Sequence, residues 1–150
     1  MKIAIIGYSG CGKSSLAQAL EEKWKLPVLY LDTVHHLPGW KARDRAETNR
    51  IVGEFLDTHN ESGWIIDSTY RRHHFARRME EADQILLLRF GRLNCLYRAW
   101  KRYRTYKGKS RPSMTVGCDE KFDWEFVRWI LWEGRTSHDP VFDEVQNTYG

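Results

Sequence analysis

What the chain lacks narrows its reading first. None of its 150 residues form an apolar run approaching the length of a membrane span, and the opening Met1–Gly10 has no secretory cleavage pattern. A cytoplasmic protein that makes no use of the membrane is expected. Cys11, Cys95 and Cys118 form an odd, scattered set without C-x-x-C spacing, which argues for reduced thiols and against a disulfide frame or a zinc site. Repeats and low-complexity tracts are absent, and the length suits one domain over residues 1–150. Acid is missing from one stretch: Arg89 to Arg111 holds nine basic residues and no Asp or Glu, while the remainder is acidic overall. Basicity confined to one place points to an anionic partner there, polyphosphate or nucleic acid.

What is present suits a packed α/β core. Hydrophobic residues make up 41% of the chain and aromatics 13%, enough to exclude global disorder. The seven Trp read first as large core filler and second as stacking platforms. Apolar runs alternate with helical patterns. Residues 2–6, 28–31, 64–67 and 84–89 read as strands, the first because it is β-branched and unbroken by polar residues. Helical spacing recurs over 14–24, from Asp44 through Leu56, over 71–80, from strand four to about Lys107, and at Phe122, Phe126, Trp129 and Ile130. Such alternation predicts βαβ units in a parallel sheet with helices on both faces, and ligands at the carboxyl ends of the strands.

Gly7-Tyr8-Ser9-Gly10-Cys11-Gly12-Lys13-Ser14 matches the phosphate-loop pattern G-x-x-x-x-G-K-S/T in full, with Ser15 following. Glycines at 7, 10 and 12 let the backbone turn its N–H groups, including those of Ser9 and Cys11, toward a β-phosphate. The helix that follows adds its positive N-terminal end, to which Ser15 belongs. Lys13 can reach the β- and γ-phosphates, and the Ser14 hydroxyl can ligate Mg²⁺. A buried strand before the loop and an amphipathic helix after it are the context in which the pattern binds nucleotide. ATP or ADP and Mg²⁺ are therefore the expected ligands.

With that loop opening a short α/β chain, the sequence resembles the adenylate-kinase-like group of small P-loop kinases. More narrowly it resembles the bacterial DNA topology modulation proteins, through Leu31-Asp32 with Pro38-Gly39-Trp40, Trp64-Ile65-Ile66-Asp67-Ser68-Thr69-Tyr70, and Gly117-Cys118-Asp119-Glu120-Lys121-Phe122-Asp123. The resemblance implies a three-layer P-loop kinase fold with a small arginine-rich lid, at about residues 108–120. It implies Asp67 as a support for the Mg²⁺ shell and Arg71, four residues on, as a grip on acceptor phosphate. Ser68-Thr69-Tyr70 departs from the Gly-Phe-Pro of adenylate kinases, which argues against AMP as acceptor. By likeness to shikimate- and gluconate-type kinases, Asp32 would bind or deprotonate an acceptor hydroxyl, with Trp40 as a pocket wall. Asp32 as a turn residue and Asp67 as a helix cap are the structural alternatives.

Arg98 and Arg102 lie four apart and share a helical face, and they resemble the lid arginines that clamp ATP phosphates; Arg111 and Arg128 are lesser candidates. The same basic stretch, interleaved with Tyr97, Trp100, Tyr103 and Tyr106, also fits a weak nucleic-acid groove or a solvated face. His35, His36, His73 and His74 could offer nitrogen to a metal, but adjacent side chains point apart. The leading expectation is transfer of the γ-phosphoryl of Mg-ATP to a small nucleotide or hydroxylated acceptor. The alternative is an ATP-dependent regulatory or nucleic-acid-binding protein affecting DNA topology. After Trp132 the chain shows no apolar strand, so residues 134–150 are expected as a polar, mobile loop or frayed helix. The fifth strand usual in such kinases would then be absent or supplied by a neighbour in a homo-oligomer.

Overall fold

The computed structural model describes residues 1–150. Four parallel strands form the central sheet in the order β2 (Val28–Tyr30), β5 (Trp64–Asp67), β1 (Lys2–Gly7), β6 (Gln84–Leu88). Ile3 stands opposite Ile65 on one side and Gln84 on the other, and Ile5 opposite Asp67 and Leu86. The two central strands are buried almost end to end, because a parallel sheet is covered on both faces. Alternation divides their side chains. Ile3, Ile5 and Ile65 pack with Ala17, Leu16 and Leu20 of α1 (Lys13–Trp24). Ala4, Ile6, Trp64 and Ile66 face the larger core built by α3 (Arg45–Thr58), α4 (Phe75–Glu81), α5 (Arg92–Tyr106) and α7 (Gly134–Tyr149).

Between β2 and α3 the chain makes a short helix α2 (Leu31–His35) and a two-residue antiparallel pair, β3 (His36–Leu37) with β4 (Lys41–Ala42). Asp44 caps α3 by accepting from the backbone N–H of Ala46 at 3.0 Å and Glu47 at 3.3 Å, as its position before the helical pattern predicts. The helix expected from Arg71 begins only at Phe75. His73 and His74 adopt left-handed backbone angles (φ 60° and 59°), and the buried Arg78 guanidinium donates to the carbonyls of Tyr70 and Arg72, holding the intervening turn out of the helix.

The carboxyl end differs from the expected mobile tail. α6 (Trp124–Arg128) runs through a π-helical turn, Trp129–Glu133, directly into the 16-residue α7. Val141, Phe142 and Val145 are buried against the sheet, and that burial outweighs the helix-breaking tendency of Gly134 and Pro140. No strand follows β6 in the sheet. The end of α7 instead runs beside it, where Ile85, Leu87, Val145 and Tyr149 line a shallow groove of about 370 Å³. No helix is long and apolar enough to cross a membrane.

Candidate active site

Two glycines carry the sharp path of the loop between β1 and α1. Gly10 (φ 78°) and Gly12 (φ 94°) lie in the left-handed region. A Cβ on Gly10 would stand 2.5 Å from the carbonyl oxygen of Cys95, and one on Gly12 3.0 Å from the Arg98 guanidinium. The loop is thus pressed against α5, with Arg98 directly over it. Gly12 caps α1 without a side-chain bond, and the first turn carries no acid; an anion can take the free N–H groups there. Lys13 Nζ donates to the Tyr8 carbonyl at 3.0 Å, folded back across the loop. Ser14 Oγ donates to Asp67 Oδ2 at 2.5 Å.

Asp67 ends β5 beside the loop because β5 pairs directly with β1. Thr69 fastens the junction: its hydroxyl donates to Gly7 O at 2.7 Å and accepts from Gly7 N at 3.2 Å. Burial pushes the Asp67 carboxyl above the ordinary aspartate range, against the opposing pull of the Lys13 ammonium and the Ser14 hydrogen bond. A hydroxyl and a carboxylate side by side are hard oxygen donors suited to Mg²⁺. No set of three or more His, Cys, Asp and Glu side chains gathers anywhere in the chain to hold a metal. His35 lies against the rings of His36, Tyr70 and His73, whereas His74 is exposed with its Nε2 2.9 Å from the Asn49 carbonyl oxygen.

From the loop, a cleft of about 1310 Å³ runs to a second polar centre. Asp32, in the first turn of α2 just beyond β2, accepts from the Tyr70 hydroxyl at 2.9 Å and pairs with Arg111 at 3.5 Å. The Tyr70 hydroxyl also lies 3.4 Å from His36 Nε2. Burial and the neighbouring Asp32 raise the Tyr70 pKa, so its proton stays in place as a donor; burial lowers that of His36. Arg111 reaches Glu120 as well, at 3.4 Å, and Glu120 holds Arg102 at 3.1 Å. Trp40, in a left-handed conformation (φ 62°), walls the cleft beneath the Lys121 ammonium.

The irregular segment after α5 is docked on the Asp32 side of this cleft. Thr115 donates to the carbonyls of Thr33 and His36 (3.0 and 2.6 Å), Gly39 N donates to Gly117 O at 3.1 Å, and Cys118 Sγ lies 3.2 Å from Leu37 O. Residues 33–39 and 111–118 therefore act as one wall.

The phosphate loop, Asp32, Trp40, Arg98 and Arg102 line one cleft, and the buried Asp67 adjoins it through Ser14. Arg71 is not: its guanidinium bonds Glu144 of α7 at 2.6 Å and is largely exposed. The departure follows from the His73–His74 turn, which replaces the first helical turn that would have aimed residue 71 inward. Arg128 is half-exposed and does not itself line the cleft, but it bonds Glu133, which does, at 2.6 Å. Arg111, a lesser candidate on sequence grounds, occupies the central place. Tyr70, Thr69 and Glu120 had no role from spacing alone, although each lies inside a segment that carried the resemblance.

Of the nine basic residues in the acid-free stretch, Arg98, Lys101, Arg102 and Arg111 line the cleft. Arg89 pairs with Asp143 of α7. Arg92, Arg104, Lys107 and Lys109 are exposed elsewhere.

No family model matches the chain, and no curated protein sequence does. Solved structures do match. A gluconokinase from Sinorhizobium meliloti 1021 aligns over 95% of this chain and 96% of its own, at 20% identity and a TM-score of 0.48. A deoxyadenosine kinase from M. mycoides, solved with product dCMP and a flexible dCDP, aligns over 99% and 86%, at 14% identity and a TM-score of 0.50. At such identities the likeness concerns the fold, and that fold is the α/β P-loop kinase architecture.

Proposed function

We propose that this chain is a Mg-ATP-dependent phosphotransferase whose acceptor is a small molecule carrying a hydroxyl group. The observation behind this reading is that one cleft joins the phosphate loop to Asp32, a carboxylate held between Tyr70 and Arg111. A loop that binds polyphosphate alone has no use for such a centre at the far end of the same cavity.

In this reading the backbone of Gly10–Ser14 and Lys13 hold the nucleotide phosphates, and Ser14 and Asp67 hold Mg²⁺. The metal, when bound, neutralises charge on the phosphate oxygens. Asp32 accepts the proton of the acceptor hydroxyl. That oxygen bonds to the γ-phosphorus as the bond to the bridging oxygen of ADP breaks, and ADP carries away the electron pair. Arg98 and Arg102 face the migrating group and stabilise its charge in planar hydrogen bonds. Arg111 takes the acceptor-side position expected of Arg71, and it is freed from Asp32 as the acceptor enters. Four cleft-facing basic residues favour this reading over a nucleic-acid surface.

Release of ADP, followed across a panel of nucleosides, sugars and hydroxy acids, tests the proposal. At least one acceptor should accelerate release over water, and Asp32→Asn should abolish most of that acceleration, on the order of 10²-fold. Release that no hydroxylated acceptor stimulates, or stimulation that survives Asp32→Asn, would count against it.

A further inference from the structure

The π-helical turn between α6 and α7 has no part in the scheme above, yet it delivers one side chain to the phosphate loop. Trp129, its first residue, directs its indole N–H at Ser9 Oγ, 3.3 Å away, and both residues line the cleft. The indole nitrogen is a donor only, and at this distance the hydroxyl satisfies it poorly.

The ring is held there by its surroundings. His138 meets it edge-on, with centroids 5.9 Å apart, and His138 Nδ1 lies 2.7 Å from the Gly134 carbonyl oxygen. Gly134 has ordinary helical angles (φ −64°, ψ −32°), where alanine would serve the helix better. A Cβ at that position, however, would stand 3.0 Å from both Nε1 and Cε2 of Trp129 and 2.9 Å from its carbonyl oxygen. The glycine therefore keeps space for both the indole and the Trp129 carbonyl of the π-turn, and does not serve a positive-φ turn. Single π-turns inside α-helices recur at functional sites, where they re-aim a side chain.

The position of Lys13 identifies which end of the nucleotide lies nearby. Its ammonium sits against the Tyr8 carbonyl, and in such loops this lysine serves the β- and γ-phosphates. Ser9 follows Tyr8, so the phosphates that Lys13 serves are expected at the Tyr8–Ser9 end of the loop. We infer that Trp129 Nε1–H, positioned by Gly134, donates to the terminal phosphate of the bound nucleoside triphosphate and so separates triphosphate from diphosphate at this site. A phosphate oxygen is a stronger, charged acceptor than the serine hydroxyl it replaces.

This inference rests on the phosphate-loop reading, and the test separates the two. Mg-ATP and Mg-ADP are titrated calorimetrically into wild type, Trp129→Phe, Gly134→Ala and the double variant. Trp129→Phe should weaken Mg-ATP about tenfold or more while leaving Mg-ADP within about twofold. Gly134→Ala, whose new methyl displaces the indole, should act in the same direction. Added to Trp129→Phe it should leave the ratio of Mg-ATP to Mg-ADP affinity where Trp129→Phe alone leaves it, because the indole N–H is already gone. Equal weakening of both nucleotides, or weakening of neither, would overturn the role of Trp129 while the phosphate-loop reading stands. A wild-type protein that binds neither nucleotide would overturn both.

Discussion

At the scale of single residues, the site places a carboxylate where an empty protein is better off without its charge. Asp67 is buried, and its pKa is raised by that burial. A carboxyl with a raised folded-state pKa favours folding at low pH, and that contribution is lost as pH rises through the folded value. Above that value the ionised group is therefore a cost in the metal-free protein. The amide of Asn keeps the shape and can still accept from Ser14. Asp67→Asn should accordingly melt at the same temperature as wild type or higher without Mg²⁺, yet need more Mg²⁺ for nucleotide binding. In wild type the Mg²⁺ requirement should rise on acidification sooner than an ordinary aspartate would dictate, and in the variant that pH dependence should vanish. Melting curves and Mg²⁺ titrations of nucleotide affinity check both parts. A destabilised variant with unchanged Mg²⁺ dependence would show Asp67 to be structural only.

Elements differ in how plainly the sequence announces them. The central strands were legible because burial on both faces demands unbroken β-branched residues, as in Ile3–Ile6 and Ile65–Ile66. The phosphate loop was legible because its backbone path requires glycine at fixed positions. α7 was not, since Gly134 and Pro140 read locally as breakers and only three of its residues, spaced at 141, 142 and 145, carry the apolar face. Its helical state depends on contacts with Tyr8 and the sheet that no local pattern reveals: Phe142 meets the Tyr8 ring edge-on at 4.9 Å, and the Tyr8 hydroxyl donates to Asp139. Arg71 was misplaced for a related reason, because two left-handed histidines in succession are not foreseeable from residue type. Pairings such as Arg111 with Asp32 join residues far apart in sequence and become visible only in three dimensions. If α7 is integral to the core, Phe142→Ala should cost about 3–5 kcal/mol, and amides around Val141–Val145 should exchange slowly. Rapid exchange there, with little loss of stability in the variant, would restore the picture of a mobile tail.

For the whole molecule, the question is what the concentrated positive charge serves. Its division between cleft and outer surface leaves Arg92, Arg104, Lys107 and Lys109 able to meet an external polyanion. Binding through a few such residues is weak and falls with salt, by about 0.9 in log–log slope per phosphate neutralised. Weak duplex binding that Mg-ATP reduces through the shared basic helix is expected. Tight binding at physiological ionic strength, indifferent to ATP, would instead favour a nucleic-acid protein. The central claim, that the Gly7–Ser14 loop holds Mg-ATP by its phosphates, is tested most directly by calorimetric titration of Mg-ATP into wild type and Lys13→Ala. Loss of the Lys13 ammonium removes a charge-assisted contact of about 1.5–3 kcal/mol, so the variant should bind at least about tenfold more weakly. Equal affinities in the two proteins would contradict the account.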